Sequence, residues 1–211
     1  MIFLRYESFR GYLRSYPVTS ILIGLNLLYY LFVASMGSTL DGEHLYRSGA
    51  FYTVENTDPF GLEEPWRYMT SLFLHSGFEH LFYNLFALLV FAPPLERLLG
   101  RLRYSVFYLL CGVLANAFSA MCYLALEDGN LLSVGASGAI YGVYGAFLYL
   151  ALLRKSWLDE GSRKTVYIIL GFGVVYSILS PGINLWAHLG GALAGFLLFL
   201  LLCRKVTWNR R

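Results

Sequence analysis

Four polar residues stand where hydrocarbon should exclude them: His80, Asn84, Ser137 within Gly135-Ala136-Ser137-Gly138, and His188. Each lies near one end of a long apolar segment. A serine hydroxyl is a poor nucleophile until a base takes its proton, and neutral imidazole does that near neutral pH. Attack on a peptide carbonyl develops an oxyanion, which donors aimed at that position stabilise by several kcal/mol. His80 and Asn84 offer N–H donors, and the backbone N–H of Ser137 offers another. No Asp or Glu stands in the apolar segments that carry Ser137 and His188, so the inventory describes a two-residue device of Ser137 and His188. Tyr141, four residues after Ser137, lies on the same helical face and could stack on the imidazole.

Each residue alone has a plainer reading. A serine among glycines is common where helices touch, and it can bond back to the carbonyl four residues earlier. An intramembrane histidine can sit neutral on a neighbouring carbonyl, although an ionisable residue inside a span is a functional hypothesis by default. His80 and Asn84 share one helix face and could glue two helices together. Depth separates the readings. Taking the segments to begin near Ser76, Leu132 and Asn184, Ser137 and His188 fall roughly 6–8 Å inside one membrane face, with Asn84 about a turn deeper. Packing residues have no reason to share a level, whereas a reaction centre does.

The elements that must position them are apolar helices. The 211-residue chain is 57% hydrophobic and only 14% charged, and it has a positive mean hydropathy. Soluble domains carry about 25% charged residues, so the composition is that of a membrane protein. Apolar runs near 18–35, 76–92, 104–126, 132–153, 165–180 and 184–203 predict six spans, each near the roughly 20 residues that cross a bilayer. The second and fifth are short. Period-two alternation is absent, which argues against a β-barrel. The expected organisation is a 1–17 tail, basic and aromatic, lying along the inner surface, a bundle over 18–203, and a basic tail at 204–211. The apolar core of the first run is longer than that of a cleaved signal peptide.

Lys and Arg set the orientation. Fourteen fall in alternate compartments: Arg5, Arg10 and Arg14, then Arg97, Arg101 and Arg103, then Arg154, Lys155, Arg163 and Lys164, then Arg204, Lys205, Arg210 and Arg211. Only Arg47 and Arg67 fall on the other side. Both termini are therefore expected in the cytoplasm. The net charge of +3 follows from that asymmetry and gives no reason to invoke nucleic acid. Cys111, Cys122 and Cys203 all fall within spans and read as small core residues rather than disulfide partners.

Three further features bear on the site. The connection from Met36 to His75 is acid-rich and aromatic, which predicts an ordered piece lying on or partly in the membrane. Pro93-Pro94 should kink or stop the second span. Gly138-x-x-x-Gly142 and Gly191-x-x-x-Gly195 have the spacing that lets helix backbones approach, so the fourth and sixth spans are expected to pack together and bring Ser137 to His188. The glycines beside Ser137 would also let a substrate backbone come close.

At these residues the sequence resembles the rhomboid family of intramembrane serine proteases, over about residues 18–203. The family's G-x-S-G stands as Gly135-Ala136-Ser137-Gly138, and its histidine with spaced glycines as His188-Leu189-Gly190-Gly191-Ala192-Leu193-Ala194-Gly195. Its H-x-x-x-N stands as His80-Leu81-Phe82-Tyr83-Asn84, preceded by His75, and its first-loop Trp-Arg pair as Trp66-Arg67. Pro93-Pro94 departs from the family's pattern, far from the site. The resemblance implies an all-α, six-span bundle with a membrane-associated first loop. It implies Ser137 as nucleophile, His188 as base, His80, Asn84 and the Ser137 amide as oxyanion donors, and Tyr141 packed on His188. Gly135, Gly138, Gly191 and Gly195 would support that geometry. The fifth span and residues 179–184 would form the gate.

The expected activity is endoproteolysis of single-span membrane proteins near their outer end, from the cell membrane of a bacterium, with no cofactor and no metal. A catalytically silent relative that escorts membrane clients would lack the serine or the histidine, and neither is missing. A small transporter would show paired half-sequence repeats and deeper polar residues, and neither is seen.

Overall fold

Proline at the first position of a helix costs nothing, because the N–H it lacks would have had no partner there. The first membrane-length helix begins in this way, at Pro17. The computed structural model describes residues 1–126 and 130–203. The expected basic tail at 204–211 and the side chain of Cys203 lie outside what is described.

A short helix, α1 (Phe9–Ser15), is capped by the Ser8 hydroxyl and runs into α2 (Pro17–Met36). The first connection follows as α3 (Gly42–Arg47), β1 (Phe51–Thr53), α4 (Arg67–Thr70) and a 3₁₀ turn. Then come α5 (Gly77–Leu99), α6 (Arg101–Leu126), β2 (Leu131–Ser133), α7 (Ser137–Leu153), α8 (Glu160–Leu179) and α9 (Leu185–Cys203). β1 and β2 pair antiparallel, with Phe51 opposite Ser133 and Thr53 opposite Leu131.

Among the described residues, α2, α5, α6, α8 and α9 are long and apolar enough to cross a membrane. The remaining expected span, α7, has only 17 residues. It is apolar all round and almost wholly enclosed, as such a helix must be. It packs against α5, α6, α8 and α9 and so forms the centre of the bundle. The outer helices turn large apolar side chains outward: Ile21, Leu28 and Phe32 on α2, and Ile168, Phe172 and Leu179 on α8. Such faces match a lipid solvent and would be a liability in water. The protein is a polytopic helical membrane bundle.

Three expectations are corrected. Pro93 and Pro94 do not stop the second span, because α5 continues through them to Leu99. A proline removes its own N–H, which here leaves the Leu89 carbonyl without its helical donor. The Tyr12 hydroxyl donates to that carbonyl at 3.0 Å, supplying the missing bond from α1. The N-terminal tail does more than lie along a surface, since Phe3 is buried with its ring against Phe91 and Phe147 at 5.1 Å each. The helix carrying Ser137 does not start near Leu132 either. Residues 131–133 are extended in β2, and α7 begins at Ser137 itself.

The first connection is ordered, as expected, and Arg67 is its centre. That side chain is buried, donates to the carbonyls of Tyr46 and Ala50 and to the Glu64 carboxylate, and lies over the rings of Tyr46 and Trp66. In return, the Arg67 guanidinium holds the Glu64 carboxyl below its ordinary value. At the other end of the bundle, buried Glu96 of α5 accepts from the backbone N–H groups of Val18 and Thr19 and from the Thr19 hydroxyl, at 2.9, 2.8 and 2.7 Å. This carboxyl caps the start of α2 from another helix, where the dipole favours an acid.

Candidate active site

The site forms where three helices begin. Gly135 precedes α7 at φ +122°, a conformation that only glycine adopts readily. Its N–H donates to the Ser71 carbonyl at 2.9 Å, which ties this turn to the first connection. Space requires glycine here as well. A Cβ at this position would stand 2.7 Å from Cε1 of His80, so the imidazole lies directly on the Gly135 backbone. The same point is 3.6 Å from Ser137 Oγ, which places His80 beside the serine.

Ser137 is the first residue of α7, so its amide and those of Gly138 and Ala139 have no helical carbonyl to serve. His188 lies in the first turn of α9, whose start is fixed by Asn184. The Asn184 side chain accepts from the Ala187 N–H at 3.0 Å and from the Ser119 hydroxyl of α6 at 2.9 Å. It also donates to the Ser133 hydroxyl of β2 at 3.0 Å. The His188 imidazole is thereby held with Nε2 2.9 Å from Ser137 Oγ. Tyr141 stacks on that imidazole, with centroids 4.1 Å apart and planes 8° from parallel.

Backbone contact sets the spacing of α7 and α9. A Cβ on Gly191 would fall 2.0 Å from the Gly138 carbonyl oxygen, and one on Gly195 would fall 1.9 Å from that of Gly142. These four glycines are those of the two motifs singled out in the sequence, now matched across the helices, which cross with no side chain between them at those points. Gly142 also takes the side chain of Cys111 against its face.

Asn84 is buried, but its carboxamide turns back and donates to the His80 carbonyl of its own helix at 2.8 Å. That bond uses one of its two N–H groups. His75 meets His80 edge to face at 5.1 Å. Two neighbours of the site escape the sequence reading. One is Asn184, which reads as the end of a loop. The other is Ser177 of α8, whose Oγ lies 2.7 Å from His188 Nδ1. The signal for Ser177 was its spacing from Gly173, a small-x-x-x-small pair that lets α8 approach the centre. Among the described residues, no group of three or more His, Cys, Asp or Glu side chains is placed to hold a metal ion.

Comparison with known proteins places the chain in a family. A family model for the rhomboid domain matches residues 62–205. YdcA of Bacillus subtilis (strain 168), which carries a rhomboid-protease name, is 33% identical over 204 residues, covering 97% of this chain and 98% of that protein. Rhomboid protease GluP of the same organism is 32% identical over 180 residues, 84% of this chain and 33% of GluP. RHOMBOID-like protein 6 of Arabidopsis thaliana, a mitochondrial protein, is 36% identical over 143 residues, 66% of this chain and 44% of that protein.

Proposed function

We propose that this chain, which belongs to the rhomboid family, is an intramembrane serine endopeptidase that cuts membrane-protein substrates with Ser137 and His188. The observation that carries the reading is the 2.9 Å contact of Ser137 Oγ with His188 Nε2, made between apolar helices of a membrane bundle. A hydroxyl and an imidazole at that distance can exchange a proton.

In the first half-reaction Ser137 Oγ attacks the scissile carbonyl carbon while His188 Nε2 takes the hydroxyl proton. The carbonyl π electrons move onto oxygen, and the oxyanion forms against the free amides at the start of α7, with His80 and the second N–H of Asn84 as further donors. The intermediate collapses, the C–N bond breaks, and His188 returns its proton to the leaving amine. Water then attacks the acyl-serine by the same route and frees the new carboxylate and Ser137. Tyr141 keeps the imidazole plane fixed throughout.

Substrates on this reading are single-span proteins whose helices unwind easily near the outer face, because a fully hydrogen-bonded helix hides its carbonyls. The short α7 serves as a sixth span that starts below the outer surface, and β1, β2 and the first connection close the space above it. Both termini then lie in the cytoplasm, on the side rich in Lys and Arg.

The test is turnover of a model single-span substrate in proteoliposomes, with fluorophosphonate labelling alongside. Ser137→Ala should abolish both, and His188→Ala should abolish cleavage while leaving thermal unfolding near that of the parent. Cleavage by Ser137→Ala at the parent rate would end the assignment.

A further inference from the structure

A neutral imidazole can accept Ser137's proton only if the lone pair is on Nε2, which requires the ring proton to be on Nδ1. In water the two tautomers interchange, so an enzyme of this kind needs a partner at the far nitrogen. Many hydrolases place a carboxylate there. Among the described residues no acidic side chain bonds or pairs with the ring, and Tyr141 stacks on its face.

We propose that Ser177 of α8 is the positioning residue that fixes the His188 tautomer, so that the reactive assembly is Ser137, His188 and Ser177 rather than a pair. The proposal rests on the protease reading above. Ser177 Oγ has one proton, and the Gly173 carbonyl, 2.6 Å away, can only accept. That proton points to Gly173 at the shorter of the two contacts, and the Tyr141 hydroxyl also bonds Ser177. With the proton so placed, the 2.7 Å contact with His188 runs the other way, with Nδ1–H donating to the Ser177 oxygen. Nε2 is left bare and faces Ser137 at 2.9 Å, the arrangement a general base requires.

A serine bonded back to its own helix is usually just a packing residue. Two observations set this one apart. Ser177 and His188 are 4% and 7% exposed, so water is not at hand to replace the hydroxyl. Gly173, one turn earlier, has no side chain where a Cβ would fall 2.1 Å from the Tyr141 hydroxyl. The same face of α8 thus admits Tyr141 with Gly173 and holds the imidazole edge with Ser177. Once His188 carries the proton from Ser137, its Nδ1–H···O bond becomes charge-assisted and strengthens. Ser177 therefore favours the state on the way to the tetrahedral intermediate more than the resting one. No proton passes to Ser177 at any step.

The experiment compares Ser177→Ala and Ser177→Thr with the parent and with Ser137→Ala, all as full-length protein in proteoliposomes. A hydrogen bond to a charged group is worth enough to set kcat of Ser177→Ala about ten- to a hundredfold below the parent, with KM within about twofold. Ser177→Thr, which keeps the oxygen, should recover most of that loss. Selective ¹⁵N-histidine labelling supplies a readout independent of turnover. In the parent, His188 should show protonated Nδ1 and bare Nε2, and in Ser177→Ala the Nε2–H form should appear. Parent-like kcat in Ser177→Ala would overturn the proposal, as would a slowed variant whose His188 tautomer is unchanged. Failure of the protease reading looks different: Ser137→Ala would cleave as fast as the parent, whatever Ser177 does.

Discussion

Replacing Gly191 with alanine tests whether backbone contact between α7 and α9 sets the reactive distance. The added Cβ would stand 2.0 Å from the Gly138 carbonyl oxygen and 2.9 Å from its carbon. Ordinary contact begins at 3.4 Å, a shortfall of about 1.4 Å, and both obstructing atoms are backbone. No rotamer relieves it, so α9 must back away from α7. Gly138 adjoins Ser137 and Gly191 follows His188 by one turn, which puts the forced gap beside the 2.9 Å contact. Retreat by about 1 Å takes that contact beyond hydrogen-bonding range and should lower kcat roughly 10²-fold. Overpacking should cost about 1–3 kcal/mol of stability at the same time. Gly24→Ala is the control, because a Cβ there meets nothing within 4 Å. The assay is substrate turnover in proteoliposomes, paired with thermal unfolding of each variant. Parent-like turnover and stability in Gly191→Ala would refute the argument that direct backbone contact holds the serine against the histidine.

Three other perturbations probe the scaffold. Glu96→Gln leaves one acceptor oxygen for three donors at the start of α2 and should destabilise the protein by about 2–3 kcal/mol in thermal or SDS-induced unfolding. Tyr12→Phe strips the Leu89 carbonyl of its replacement donor above the prolines and should cost about 1–3 kcal/mol in the same measurement; no loss would show that α5 tolerates the prolines unaided. Arg67→Lys cannot reproduce a planar fork held between two rings, so limited proteolysis within residues 37–76 should quicken. Because the Glu64 carboxyl is held below its ordinary value, its pairing with Arg67 contributes fully above that value and is lost as pH falls through the lowered one. Proteolysis of the parent should therefore quicken only in acid.

Much of the fold was legible because lipid leaves the chain few choices. Long apolar runs had to be helices, and the two glycine pairs stated which helices would touch. The sequence misled where a local rule met a distant compensation. Pro93-Pro94 reads as a stop, and only the fold reveals that Tyr12, in α1 and 77 residues from Leu89, replaces one of the lost bonds. Leu132 reads as the start of a span because it opens a mostly apolar run, and pairing of Leu131–Ser133 with β1 makes that stretch a strand instead. Asn184 and Ser177 were missed for a similar reason. An asparagine at a loop end and a lone serine in a helix are ordinary residues until tertiary structure sets His188 beside them.

The shared depth of His80, Ser137 and His188 has a physical origin that the spacing of residues only hinted at. Each stands within the first four residues of its helix, α5, α7 or α9. A helix start is where unpaired N–H groups occur, and hydrocarbon forbids them unless something polar meets them. Bringing three starts to one place, tied down by Gly135 and Asn184, gathers such donors where protein rather than lipid faces them. The positive end of α7 lies at Ser137 itself, which favours negative charge developing there. The backbone donors that a bilayer makes hardest to place are the ones that peptide hydrolysis requires, and ending helices at the site meets both demands together.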